Sequence, residues 1–212
     1  MSEQSRSSNG RVYRMTKRAD DVAATRERIV EAAVRLHGTI GPAQTSIAGI
    51  AEEAGVTRLT VYRHFPNDTE LHAACREHWF SQQRLPDPQS WSTIIDPEQR
   101  LRVGLADLYR FYREGQNMLR LVHRDIADVP GGTQQQLLAL DATHRDTLLE
   151  PFHLHGPTRR RARAALGHAV SFTTWHSLCN EQHLTSSEAV DTMATLALTL
   201  ARHGTAARVG DI

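Results

Sequence analysis

Arg58, Thr60, Tyr62 and His64 alternate along one short stretch of the chain, and together they form a set of donors suited to a nucleic acid. An arginine can donate two parallel hydrogen bonds to guanine O6 and N7, and a threonine offers a base edge both a hydroxyl and a methyl group. Tyrosine and histidine donate to phosphate oxygens and fix orientation rather than sequence. Arg63 adds a cation at the flank. Upstream, Thr45 or Ser46 stands where a helix would open, and a hydroxyl there, with the free amides behind it, suits another phosphate. The other reactive residue types are less organised. His153-Leu154-His155 lies in a proline-bounded loop with no further ligand at a familiar metal spacing. His176 and Cys179 are three residues apart, and no third group can be assigned to orient them. Carboxylates are scattered. Neither a metal, a cofactor nor an enzymatic activity is expected.

The elements that must position these groups follow from periodicity. Residues 45–71 read TSIAGIAEEAGVTRLTVYRHFPNDTEL. A short helix is expected from Ile47 to about Glu53, with Ile50, Ala51 and Ala54 inward. Gly55 marks a tight turn, Val56 a plug, and Thr57 the cap of a second helix, Arg58 to His64, which Pro66 and Asn67 end. This spacing is that of a helix-turn-helix over about 46–64. Val61 and Phe65, one turn apart, face the core. A preceding helix is expected from Asp21 to Gly38 on the stripe Ile29, Ala32, Ala33 and Leu36, and a fourth begins at Asn67, where Glu70 completes a capping-box pattern.

Residues 1–20 have no periodicity and read as a disordered basic arm: over 1–19, Arg6, Arg11, Arg14, Lys17 and Arg18 stand against Glu3 alone. Such an arm could lie along phosphates or simply be solvated. The helix-turn-helix domain is assigned to 21–82. Prolines at 86, 88 and 97 mark a linker, and residues 83–212 read as an all-helical body. Its segments carry Leu101, Leu105, Leu108 and Tyr112, then Met118 to Ile126, then 134–150. Two long helices, 158–180 and 186–203, close the chain. The fold class is therefore all-α. Of the 212 residues, 40% are hydrophobic, 23% are charged, and the net charge is +1, which is ordinary for a globular protein. With only Cys75 and Cys179 there is no disulfide framework, and a cytoplasmic location is expected. No run of residues is apolar enough to span a membrane. On spacing alone two readings stand: a DNA-binding regulator, or an all-helical protein-interaction bundle that binds no DNA.

The N-terminal quarter, about 25–75, resembles the TetR family of tetracycline-repressor-like regulators. The resemblance rests on Thr25-Arg26-Glu27-Arg28-Ile29, Thr45-Ser46, Ile50-Ala51, Ala54-Gly55-Val56, Thr60-Val61-Tyr62-Arg63-His64-Phe65, Asn67 and Glu70-Leu71. It implies a repressor that binds palindromic operator DNA as a homodimer and is released by a small-molecule effector. It places Thr57, Arg58, Leu59, Thr60, Tyr62 and His64 at recognition-helix contact positions, and Thr45 and Ser46 at the phosphate-contacting start of the helix before. Two departures stand out. Asp68 occupies a position where the family often has a phosphate-gripping lysine, and Ala48 and Gly49 lie where some members place a contacting side chain. The resemblance also implies a dimer through 158–180 and 186–203, using Ala162, Ala165, Leu166, Ala169, Val170 and Thr173 on one helix and Met193, Leu196 and Leu200 on the other. It further implies an effector pocket in the body, with candidates Tyr109, Tyr112, Met118, His123, Leu137, Phe152, Phe172, Trp175 and His176. Aromatic residues at helical spacing also read as plain core.

Overall fold

The computed structural model describes residues 4–206, with side chains over 17–201. It is helical throughout the described residues and divides into two units. One unit extends to Gln82 and takes in Leu121–Gly131. The other comprises Gln83–Arg120 and the chain from Gly132 onward.

The first unit holds α1 (Gln4–Thr39), α2 (Ile47–Glu53), α3 (Arg58–His64) and α4 (Asp68–Ser81). Ile29, Ala32 and Ala33 of α1 are fully buried and meet Ile50 and Ala51 of α2, Val61 of α3, Phe65, and Leu71, Ala74 and Cys75 of α4. The small alanines let the helices approach closely, and Val56 and Leu36 pack at the edge. Burial in this apolar site pushes the Cys75 thiol up to about 12, so it behaves as a small apolar side chain. The helix expected to start at Asp21 begins at Gln4 instead, so residues 4–20 of the stretch expected to be disordered are helical. The stretch lacks an apolar stripe but contains no proline, and Arg11, Arg14, Met15, Lys17, Arg18 and Ala19 are good helix formers, so extending an existing helix through them costs little. Residues 17–20 are exposed, while residues 1–3 of the expected arm, and the side chains of Arg6, Arg11 and Arg14, lie outside the described residues.

The second unit is a bundle of α6 (Pro97–Glu114), α8 (Thr133–Leu149), α9 (Gly156–Ala169), α10 (Phe172–His176) and α11 (Ser186–Ala206), with the short α5 (Pro88–Ser92). Between these, α7 (Gln116–Arg124) runs from the stretch assigned to this unit into the stretch assigned to the first. Leu101, Leu105, Leu108 and Tyr112 form the expected inward stripe of α6. The segment expected to be a plain linker contains α5. Asp87 caps it and Pro88 occupies its first turn, a start signal that the proline content obscured. It seats Trp91, fully buried, with its indole N–H donating to Asp107 Oδ2 at 3.1 Å.

The helix expected over 158–180 is interrupted at Val170–Ser171. The carbonyls of Ala169 and Val170 accept the hydroxyls of Tyr109 and Tyr112 at 2.8 and 2.5 Å, and Ser171 caps α10 by accepting from Thr173 N. Two buried tyrosines on α6 thus take up the carbonyls that the break releases. Past His176 the chain makes one π-helical turn, Ser177–Glu181.

Phe65 contributes its whole ring to the first unit's core, so Phe65→Ala is expected to cost about 3–5 kcal/mol in urea unfolding of that unit; a loss below about 1 kcal/mol would contradict the packing described. The same unit holds a stacked histidine pair. His37 and His72 lie 4.7 Å apart at an interplanar angle of 12°. Burial, helped by His72, pushes His37 from 6.5 down to about 4, and burial lowers His72 against the pull of Asp68. Both rings are neutral when folded and take up protons once released. Stability is therefore full above pH 6.5 and declines as the pH falls toward about 4. A pH series of melting temperatures checks this decline, and His37→Phe should flatten it.

Candidate nucleic-acid interface

Three side-chain caps set the directions of three successive helices. Ser46 Oγ accepts from Gly49 N at 3.1 Å and opens α2. Thr57 Oγ1 accepts from Thr60 N at 3.2 Å and opens α3, and Asn67 Oδ1 accepts from Glu70 N at 2.9 Å and opens α4. Between α2 and α3 the chain turns at Gly55, whose φ of +65° disfavours a β-carbon even though the space around it is open. Val56 N donates back to the Ala51 carbonyl at 2.9 Å and closes the turn.

On α3 the inner face is Val61, followed by Phe65 at the helix end. The outer face presents Arg58, Leu59, Tyr62 and Arg63, all exposed, with Thr60 and His64 half-buried at its edges. Leu59 is 76% exposed and Tyr62 49%. Leu59 on this face suits a thymine methyl. Thr57 and Thr60 share a hydrogen bond of 2.9 Å between their hydroxyls, which leaves one of the two protons to point elsewhere. His64 is held below the usual histidine range by slight burial and by the charges of Arg63 and Arg26, so near neutrality it offers a single N–H donor. Arg26 itself lies over the Phe65 ring at 4.7 Å.

At the start of α2, Ser46 is exposed and Thr45 half-buried. The Thr45 hydroxyl donates to the Gly41 carbonyl at 2.8 Å, so its proton is committed to the loop, whereas Ser46 uses its oxygen as an acceptor and keeps its proton. Asp68 is exposed in the first turn of α4, where it complements the helix dipole. Of the eight residues proposed from sequence for nucleic-acid contact, Arg58, Leu59, Thr60, Tyr62 and His64 lie on α3, Thr57 and Ser46 cap α3 and α2, and Thr45 immediately precedes the Ser46 cap.

The nine candidates for an effector site divide. Tyr109, Tyr112, Phe172, Trp175 and His176 form one aromatic cluster, with Tyr112 5.6 Å from Phe172 and 6.0 Å from Trp175, and Phe172 5.8 Å from His176. Met118 and Leu137 are half-buried on α7 and α8. Phe152 lines an open groove with Pro97, Leu154 and Leu198, and His123 falls in the stretch grouped with the first unit. Sequence reasoning names Trp175 but misses His144 and Asp141 of the second unit. The Trp175 indole N–H and His144 Nδ1 are buried and have no hydrogen-bond partner among the described residues. Burial pushes Asp141 up to about 6, and its charge adds to the burial that raises Tyr112. Among the described residues no group of three or more His, Cys, Asp or Glu could hold a metal ion, and no helix is long and apolar enough to cross a membrane.

Comparison with known proteins bears on this arrangement. Residues 29–75 match the model of bacterial regulatory proteins, tetR family. The chain is 48% identical over 60 residues to the HTH-type transcriptional regulator TtgR of Pseudomonas putida, covering 28% of each chain. It is 32% identical over 118 residues to the "Probable acrEF/envCD operon repressor" of Escherichia coli, covering 51% of this chain and 52% of that one. These matches thus span between about a quarter and a half of the relatives' length. In fold, the chain is similar to NalD, described as the secondary repressor of the MexAB-OprM multidrug efflux pump in Pseudomonas aeruginosa, with a TM-score of 0.56, 21% identity, and coverage of 85% of this chain and 96% of that one. The matched stretch, 29–75, contains α2, the turn and α3 with the caps and core just described, so it is over these residues that the chain is similar to the tetR family of bacterial regulatory proteins.

Proposed function

We propose that the chain is a DNA-binding transcriptional repressor that reads palindromic operator DNA as a homodimer and is released by a small-molecule effector. The observation that carries the reading is the division of α3. Its inner residue and end residue, Val61 and Phe65, are buried, while Arg58, Leu59, Tyr62 and Arg63 project outward from a helix whose start is fixed by Thr57. Arg58 reads a guanine, Leu59 and Thr60 meet base edges or a thymine methyl, Tyr62 and His64 hold phosphates, and Ser46 holds another. Repression is the mode proposed because two of the similar proteins are repressors by name.

A single seven-residue helix contacts few base pairs, and a twofold dimer doubles the contact. The last helix supports this. Ala189, Met193, Ala194 and Ala197 bury α11 within its own unit, while Leu196 and Leu200, at the edge of that face, are 55% and 40% exposed. On α9, Ala162, Leu166 and Ala169 are already buried in the unit, so the expected interface on that helix narrows to Ala165 and its neighbours. The effector reading draws support from the aromatic cluster and from the buried Trp175 N–H, since leaving a buried donor unsatisfied costs about 1–3 kcal/mol that a ligand acceptor would recover.

Arg58→Ala is the direct test. Discrimination at one guanine of each half-site should fall by about 1–3 kcal/mol in a mobility-shift titration, with binding to unrelated duplex nearly unchanged. Unchanged discrimination would remove Arg58 from base reading. Leu196→Glu should shift the chain toward monomer in sedimentation and weaken operator binding; an unaltered sedimentation profile would exclude α11 from the interface.

A further inference from the structure

The loop between α1 and α2 is held by a residue far along the chain. Asp125, 6% exposed, accepts from Ala43 N through Oδ2 at 3.0 Å. Its neighbour Arg124 donates to both Asp125 oxygens, at 2.6 and 2.9 Å, and through Nη2 to the Ile40 carbonyl at 2.8 Å. The loop is shaped to receive this pair. Gly41 has a φ of +95°, and a β-carbon on it would collide with Arg124 Nη2 and Asp125 Oδ2. Beyond Gly41 the loop is tied forward: the Thr45 hydroxyl donates to the Gly41 carbonyl, Thr45 N donates to the Pro42 carbonyl at 3.1 Å, and Ser46 follows as the cap of α2.

From this geometry we infer that Asp125, with Arg124, is a positioning residue for DNA binding: it fixes the Ile40–Thr45 loop and thereby the place from which Ser46 presents its hydroxyl. The inference rests on the DNA-binding reading above. It adds to the proposed reading surface a pair of residues that lie outside the matched stretch 29–75 and act through the loop. The buried carboxylate is well suited to this role. A charged acceptor makes stronger bonds to backbone N–H than a neutral one, and the paired guanidinium offsets the cost of burying it. Arg58 stands apart from this device, because α3 takes its direction from Thr57 and from the burial of Val61.

A double-mutant cycle on the full chain tests the inference, read as affinity for a selected operator duplex and corrected for active fraction by stoichiometric titration. Ser46→Ala and Asp125→Ala should each weaken binding by about tenfold, the scale of one hydrogen bond to a charged group. The double variant should lose little more than either single one, because both act through the same contact. Asp125→Ala combined with Arg58→Ala should instead multiply. Arg124→Ala, at an exposed position, repeats the cycle if Asp125→Ala does not fold. Losses that multiply with Ser46→Ala, or an Asp125→Ala variant that binds like the wild type, would overturn the inference while leaving the DNA-binding reading intact. Failure of the wild-type chain to bind any duplex would overturn that reading, and this inference with it.

Discussion

The burial of Val61 and Phe65 is the constraint on which the exposed face of α3 depends. A helix of seven residues, Arg58 to His64, is too short to persist in water on its own hydrogen bonds. It exists because Val61 and the adjoining Phe65 enter a core built by α1, α2 and α4, and because Thr57 accepts from the amide of Thr60 in its first turn. Once these inner contacts fix the rotation of the helix, the outward residues follow without further choice. Arg58, Leu59, Tyr62 and Arg63 are displayed because Val61 is not. The head is therefore a small core whose product is one oriented helix face, and a cavity at Phe65 would disturb that face without touching any residue on it.

The polar devices around this core share a logic. Each helix end that matters is closed by a side chain near in sequence: Ser46, Thr57 and Asn67 in the head, Thr185 with Glu188 at the start of α11. Where no local side chain serves, a distant one does. Tyr109 and Tyr112 take the carbonyls freed at the break after α9, and Asp125 takes an amide of the α1–α2 loop. Local caps let each helix begin in the right place, while the distant bonds hold in position those parts of the chain that have no such cap.

The same distinction separates what is legible in the sequence from what is not. The helix-turn-helix, its caps and its inward residues are legible because all their causes lie within a few residues: a hydroxyl before an apolar period, a glycine at the turn, a proline after the helix. The final helix is legible for the same reason. The break at Val170–Ser171 is not, since the groups that stabilise it are on α6 and leave no mark on the periodicity of α9. Trp91 is hidden in a proline-rich stretch that reads as linker, although Asp87 and Pro88 are start signals for α5. Asp125 is invisible because its partner amide is 82 residues away. The extension of α1 toward Gln4 leaves no apolar stripe, and the missing stripe marks a helix exposed along residues 17–20 rather than the lack of a helix. Of the body candidates, the five aromatic and histidine residues on α6 and α10 do come together, while Phe152 and His123 are placed elsewhere by turns and unit boundaries that no local pattern announces.

If α3 reads double-stranded DNA in a twofold arrangement, the sequences it prefers must carry that symmetry. Selection of bound sequences from random duplex DNA by the purified chain tests this most directly. The expected result is enrichment of an inverted repeat whose half-sites are centred about one helical turn or a multiple of it apart, with an affinity that falls steeply as salt is raised. Recovery of no enriched sequence at low salt, or of a motif without twofold symmetry, would contradict it.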